Sequence, residues 1–294
     1  MKKSSNIKVI IYVCIVLLII TGIVISTIIV SNKNKKKENA SSRIDNEKNI
    51  VNIDDINVNK EEKKIFKKIN VSLPIFMYHF ILDDYGDNLD VENFLKPSTL
   101  EEQLKYIVDN GYETVFVNEI EDLSNYTKPV ALTFDDCFVY FYNNAFPLLK
   151  KYNQKASIYI ICDYVNGPNY LTTEQIQEMV DSGIISVQTH TLTHRKLSTL
   201  SLAEMEKEIV ESKKYLESTY NISVDTMCYP SGDYDQKVLN FTKENYTYGL
   251  AMTGGVYYSN KHNLYEIPRI YANRSMSITE FANYLKKSSV EVIY

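Results

Sequence analysis

Basic residues are in deficit in this chain, histidine and cysteine are scarce, and tryptophan is missing altogether. The 294 residues carry 32 Lys+Arg against 37 Asp+Glu; with Lys2, Lys3 and Lys8 set aside the remainder has 29 against 37, a net of −8. An acidic chain with no basic cluster beyond Lys33–Lys37 excludes nucleic acid as the expected partner. Of the four cysteines, Cys14 lies in an apolar run, and Cys137, Cys162 and Cys228 are too few and too odd in number for a disulfide framework. A single bridge, such as Cys162 to Cys228, is left open. The absence of Trp says nothing about chemistry, and no internal repeat is present.

Charge is absent from residues 9–30, "VIIYVCIVLLIITGIVISTIIV". As a helix this run spans roughly 33 Å, the thickness of a bilayer core. No Ala-x-Ala cleavage pattern follows it, and no small residues precede Cys14, so a cleaved signal or a lipoprotein site is not expected. Residues 1–8 read as a short tail and 9–30 as an uncleaved transmembrane anchor. Lysines flank both sides, so charge bias leaves the orientation undecided. Residues 31–70 are rich in Lys, Asn and Glu without apolar periodicity, and read as a polar, flexible stalk.

From 71 to 294 short apolar runs alternate with amphipathic stretches. The runs "PIFMYHF", "TVFVN", "PVALTF", "ASIYIIC", "ISVQTH", "TMCYP", "YGLAMT" and "YEIPRI" read as strands. Ser98–Glu101, Ser201–Glu204 and Ser277–Glu280 read as capping boxes that open helices, and Gly111 and Gly183 as helix stops. The alternation predicts an α/β domain, an irregular β/α barrel of about seven strands. Functional groups of such barrels stand at the C-terminal strand ends. Here those ends carry His79, Asp135, Asp136, His190 and Pro230-Ser231-Gly232.

Two of the four histidines form "THTLTH", His190 and His194. Four-residue spacing puts two imidazoles on one face, and with a carboxylate they make a two-His-one-carboxylate metal set with open positions. Two surface histidines in a Thr-rich loop fit the same letters. Asp135 and Asp136 end an apolar strand; on an extended backbone adjacent side chains point opposite ways, so one suits a ligand and the other a base. His262, in a polar loop, reads as a surface histidine.

"TFDD", "THTLTH" and "YPSG", in this order, resemble the polysaccharide deacetylases of carbohydrate esterase family 4 over roughly residues 72–275. "MYHF" and "IPRI" resemble the permuted branch that deacetylates poly-N-acetylglucosamine, in which the acid histidine comes early. The resemblance implies Asp136, His190 and His194 as ligands of one divalent ion, Zn2+ before other first-row metals. It implies Asp135 as general base, His79 as general acid, and the Tyr229-Pro230-Ser231 loop as the oxyanion and substrate contact. It further implies a hydrolase that removes acetyl groups from N-acetylglucosamine units of an extracellular polymer, an exopolysaccharide before peptidoglycan. That function places the catalytic part of the anchored chain outside the cell; a monomer is expected.

Three positions depart from the family. Cys137 stands where Gly is usual, Ser231 replaces an aromatic, and the Arg of the proline motif is missing. Arg269 is a candidate to tune the base in its place, or a structural ion pair. Cys137 and Ser231 also keep open a catalytically impaired glycan-binding module. A metal phosphoesterase calls for more ligands and more basic groups than the chain offers.

Overall fold

The runs "PVALTF", "ASIYI" and "ISVQT" are buried almost throughout and rich in β-branched residues, as strands covered on both faces must be. The computed structural model describes residues 68–83, 91–136 and 138–293. Its first half comprises β1 (Lys68–Leu73), β2 (Ile75–Tyr78), β3 (Phe80–Ile81), β4 (Phe94–Leu95), α1 (Pro97–Asp109), β5 (Glu113–Val115), β6 (Pro129–Phe134), α2 (Phe146–Tyr152) and β7 (Ala156–Ile160). There follow α3 (Thr173–Asp181), β8 (Ile185–Thr189), α4 (Leu202–Glu206), α5 (Ser212–Tyr220), β9 (Thr226–Cys228) and α6 (Gln236–Asn245). The chain then forms β10 (Tyr248–Leu250), β11 (Tyr257–Tyr258), β12 (Ile270–Tyr271), α7 (Ile278–Leu285) and β13 (Ser289–Ile293).

Eight strands make one parallel sheet in the order β10-β9-β8-β7-β6-β2-β12, with β5 alongside β6. The segment 264–271 joins its two edges. Gly249 N–H donates to Leu264 O and Ala251 N–H to Ile267 O, while Ile270 and Tyr271 pair with Phe76 and Met77 of β2. This parallel sheet with flanking helices agrees with the expected barrel architecture.

Side chains alternate along each strand. In β6, Val130, Leu132 and Phe134 pack in the larger core together with Leu100 and Leu104 of α1. Ala131 lies in the second core with Ile75, Tyr159, Cys228 and Leu250, the inward residues of the neighbouring strands. A separate antiparallel sheet, β11-β1-β13, adds Val71, Leu73 and Tyr257 to that inner core and forms its floor.

Four details differ from the sequence reading. The stalk expected to run to residue 70 stops earlier, because Lys68, Ile69 and Asn70 already pair with Ile293, Val292 and Glu291. The strand's own alternation, Ile69, Val71 and Leu73 against Lys68, Asn70 and Ser72, is short and follows directly on a Lys/Asn/Glu-rich tract. The strand in "TVFVN" ends at Val115, and a 3-10 turn, Val117–Asp122, follows, with the Phe116 N–H capped by Glu119 at 3.0 Å. Ser201 and Ser277 cap their helices as expected, but α1 opens two residues before Ser98 would allow. Pro97, with its preset φ, takes the first helical position, and Glu101 turns to Lys151 and Tyr152 instead. His262 is half-buried rather than a free surface group: its Nδ1 accepts the Tyr258 N–H at 3.0 Å.

Among the described residues no helix is long and apolar enough to cross a membrane. The span expected at 9–30, most of the expected stalk, and Cys137 lie outside the described residues. Cys162 and Cys228 are both buried and both free.

Candidate active site

The strand ladder runs on past the ends of β6 and β8. Asp135 N–H donates to Tyr78 O at 2.9 Å, and His190 N–H donates to Ile160 O at 2.8 Å. Both residues keep the inward phase, so both are buried at the mouth of the sheet. Asp136 breaks the phase. On an extended backbone it would turn to the helix-facing side, as Phe134 does, but its φ is 62°. Left-handed backbone, which Asp tolerates better than most residues, brings it back over the mouth.

There Asp136 Oδ1 lies 3.6 Å from His190 Nε2 and 3.6 Å from His194 Nε2. Three ligands about 2.1 Å from a zinc ion at tetrahedral angles stand roughly 3.4 Å apart, so the donor set fits one divalent ion. The hydrogen bonding agrees. His190 Nδ1 faces Cys228 O at 2.8 Å, so the ring donates there and leaves the Nε2 lone pair for a ligand. Burial holds both imidazoles neutral: it lowers His190 to about 3 and shifts His194 in the same direction. Burial also raises Asp136 to about 6, with Asp135 adding to the rise and His79 and Arg269 opposing it. The three converge as the sequence predicts, His190 almost wholly buried, and Asp136 (19% exposed) and His194 (29% exposed) open to the mouth.

Asp135 has the opposite surroundings. Both of its oxygens accept from the fully buried Arg269, Nη1 to Oδ1 and Nη2 to Oδ2, each at 2.8 Å. Burial alone would raise its pKa, yet the charge and hydrogen bonds of Arg269, with His190 and His79, hold the carboxyl well below the usual carboxylate range. Cys228 Sγ donates to Asp135 Oδ2 at 3.4 Å, a contact the sequence did not suggest. Its only sequence signal is its place at a strand end just before "YPSG". Asp135, His190 and Cys228 also lie close enough together to suggest a second metal group. The guanidinium takes one acceptor site on each Asp135 oxygen and repels a cation, and burial raises the thiol pKa, so the thiol stays protonated. That trio is a hydrogen-bonded support, not a metal site.

His79 follows β2 at the same mouth, half-buried, its ring 5.8 Å from that of Tyr271. Its field favours the ionised form of both Asp135 and Asp136. The Tyr229-Pro230-Ser231 loop is narrower in use than its letters suggest. Tyr229 N–H is committed to Leu250 O at 3.2 Å, and Pro230 has no N–H. Ser231, exposed and left-handed at φ 57°, is the residue of the three whose N–H makes no hydrogen bond among the described residues. The Tyr229 ring is structural, its hydroxyl donating to Tyr265 O at 2.8 Å.

Backbone strain gathers here. Thr191 has φ 68° and His194 φ 62°. A left-handed β-branched residue is a true outlier, and each such position costs on the order of 1–3 kcal/mol.

Residues 123–249 match the polysaccharide deacetylase family model, a span that holds the three candidate ligands and Asp135, with His79 before it and Arg269 after it. YxkH of Bacillus subtilis, a polysaccharide deacetylase by name, is 32% identical over 73% of this chain and 76% of its own length. The poly-beta-1,6-N-acetyl-D-glucosamine N-deacetylase of Staphylococcus aureus is 27% identical over 66% of this chain and 73% of that protein. Among solved structures, the Streptococcus pyogenes deacetylase PplD in complex with acetate superposes with a TM-score of 0.68 at 30% identity, over 73% of this chain and 98% of that one.

Proposed function

Because the chain belongs to the polysaccharide deacetylase family, carbohydrate esterase family 4, and is therefore a hydrolase of polysaccharide amide bonds, we propose that it is a metal-dependent N-deacetylase. Its proposed substrate is the N-acetylglucosamine of an extracellular polymer, an exopolysaccharide of the poly-N-acetylglucosamine type before peptidoglycan. One observation carries this reading: Asp136, His190 and His194 converge, while the neighbouring carboxyl of Asp135 is held ionised by Arg269.

The triad would hold one divalent ion, Zn2+ by its two imidazoles and carboxylate, which would supply Lewis acidity toward a water and the acetyl carbonyl. Asp135 takes a proton from the attacking water as the water oxygen bonds to the acetyl carbon. Arg269 fixes the orientation of that carboxylate. The Ser231 N–H is the donor offered to the oxyanion of the tetrahedral carbon. As the C–N bond breaks, His79 gives its proton to the departing nitrogen, leaving acetate and a glucosamine amine. Proton transfers of this kind contribute about 10²–10⁴-fold each.

The choice of polymer is supported by the early position of His79, just after β2, and by the similarity to the staphylococcal enzyme. The uncharged run at 9–30 supports a single-pass anchor, and an extracellular polymer as substrate is what supports a catalytic part outside the cell. The test is acetate release by the zinc-loaded full chain from poly-N-acetylglucosamine, chitin oligomers and peptidoglycan. Fastest release from the first is expected. Fastest release from peptidoglycan would overturn the polymer assignment, and no release from any would overturn the deacetylase reading.

A further inference from the structure

The turn that carries both candidate histidine ligands, 190–194, is bent into a conformation its residues disfavour, with Thr191 and His194 left-handed. One hydrogen bond is internal, His194 N–H to Thr191 Oγ1 at 3.2 Å, and another reaches back to the last residue of β8, Thr191 N–H to Thr189 Oγ1 at 3.0 Å. Two more come from the end of β7, where Cys162 and Asp163 donate to the carbonyls of Thr191 and Leu192. The remaining amides converge on one carboxylate. Glu208 Oε2 accepts Leu192 N–H at 3.1 Å and Thr193 N–H at 2.8 Å, and Oε1 accepts the Thr193 hydroxyl.

Glu208 is 3% exposed and forms no ion pair among the described residues. A carboxylate is expensive to bury, and here the compensation comes from the turn's own N–H and O–H donors. The backbone is shaped to bring it there. Glu208 sits in a π turn, Lys207–Glu211, that widens the helix between α4 and α5, an irregularity often found beside functional sites. Tyr246 Oη at 2.6 Å and Ser212 Oγ at 3.1 Å both donate to the Ile209 carbonyl inside that turn and brace it.

Resting on the metal reading proposed above, we infer that Glu208 is a positioning residue: it holds the 190–194 turn in its left-handed form and so aims His194 Nε2 at Asp136. It touches neither the ion nor the substrate. Its effect reaches the metal through the Leu192 and Thr193 amides, in the manner of the outer partners that orient metal ligands.

The experiment uses the full chain in detergent with Co2+ as the probe, read by its visible absorption bands and by titration. Metal-free unfolding is measured alongside. Glu208→Ala is expected to weaken Co2+ binding roughly 10–100-fold and to alter the band pattern. Glu208→Gln is expected to restore most of both, because its amide oxygen can accept the two N–H groups while its NH2 donates to the Thr193 hydroxyl. Thr193→Val, which removes the hydroxyl bond alone, is expected to fall between wild type and Glu208→Ala. A folded Glu208→Ala protein with wild-type bands and affinity would overturn the inference. So would a Glu208→Gln protein as impaired as the alanine variant. Should Glu208→Ala not fold, Thr193→Val decides: unchanged cobalt binding overturns the inference, and weakened binding supports it. Asp136→Ala separates the two levels. If that variant keeps the cobalt bands, the metal reading itself fails; if it loses them while Glu208→Ala keeps them, only the role of Glu208 fails.

Discussion

At the floor of the parallel sheet Leu73, Ile75, Ala131, Tyr248 and Tyr257 pack in an apolar cluster beneath regular antiparallel strands. Further along the same strands, the inward positions hold Thr133, Asp135, His190 and Arg269, every one buried and polar. One pleat repeat, about 6.6 Å, separates Ala131 from Thr133 and Thr133 from Asp135. The backbone divides in the same way. Eight non-glycine residues have positive φ among the described residues, and four of these are asparagines, which tolerate it. The other four are Asp136, Thr191, His194 and Ser231, all in the mouth motifs. Regular pairing and apolar contact are concentrated at one end, and strain and charge at the other. Stability and chemistry should therefore come apart under mutation.

The largest separation is expected within the mouth. Asp136→Ala should lose metal and activity together while the metal-free protein unfolds close to wild type. His79→Ala should lower kcat by roughly 10²–10⁴-fold and keep its metal. Metal content of the purified variants, set beside acetate release, decides this, and near-normal turnover in His79→Ala would move the proton donor elsewhere.

Arg269→Met tests the one mouth contact expected to matter for the whole fold. It leaves Asp135 buried without its partner, and about 3–5 kcal/mol of stability should go at neutral pH, read by denaturant unfolding. Arg269 depresses the folded-state pKa of Asp135, so the pair's contribution is present above the ordinary carboxylate range and is lost as pH falls below it. The deficit of the variant should therefore shrink toward pH 4, where burial keeps its Asp135 protonated. An equal deficit at pH 7 and pH 4 would remove the charge from the explanation.

The floor is probed by where the soluble protein begins. A chain starting at Val71 leaves Glu291, Val292 and Ile293 unpaired, and about 1–3 kcal/mol should be lost relative to one starting at Ile65. The kcat of the folded fraction should not change, and a drop in kcat would show that floor and mouth are coupled.

The smallest effect is a proton count. Burial raises Asp136 to about 6 in the metal-free protein, lowers His190 to about 3, and shifts His194 downward from its ordinary value. Zinc binding near pH 5 should release the Asp136 proton, and release should be far smaller at pH 7.5. Calorimetry in buffers of different ionisation heat measures this, and greater release at pH 7.5 would contradict the assignment.

What the sequence made legible follows the same division. Strands β6, β7 and β8 are nearly continuous apolar runs, and the Asp pair and the two histidines stand at their ends, so spacing placed them at one mouth, whereas the left-handed backbone that turns Asp136 inward against the strand phase was not legible. Arg269 was legible only as a candidate, because an arginine far along the chain carries no sign of which carboxylate it meets. The floor strands β1, β11 and β13 escaped notice, since β13 alternates between exposed and half-buried and β1 lies in a Lys/Asn-rich tract. Glu208 left no mark at all. It is one glutamate among several in an amphipathic stretch, and a π turn does not interrupt that pattern.

The pairing of β1 with β13 has a mechanical consequence. The catalytic unit is entered from the floor, and tension arriving through residues 1–67 would first meet Lys68. Pulled along its axis, β1 shares that load in shear across five paired positions, Lys68 to Ser72 against Ile293 to Ser289. Leu73, paired with Tyr257, then Pro74 and Ile75 come next, and His79 lies only four residues beyond Ile75. The antiparallel ladder thus acts as a strain relief, taking up force before it can shift a side chain that has to stay in register with Asp135.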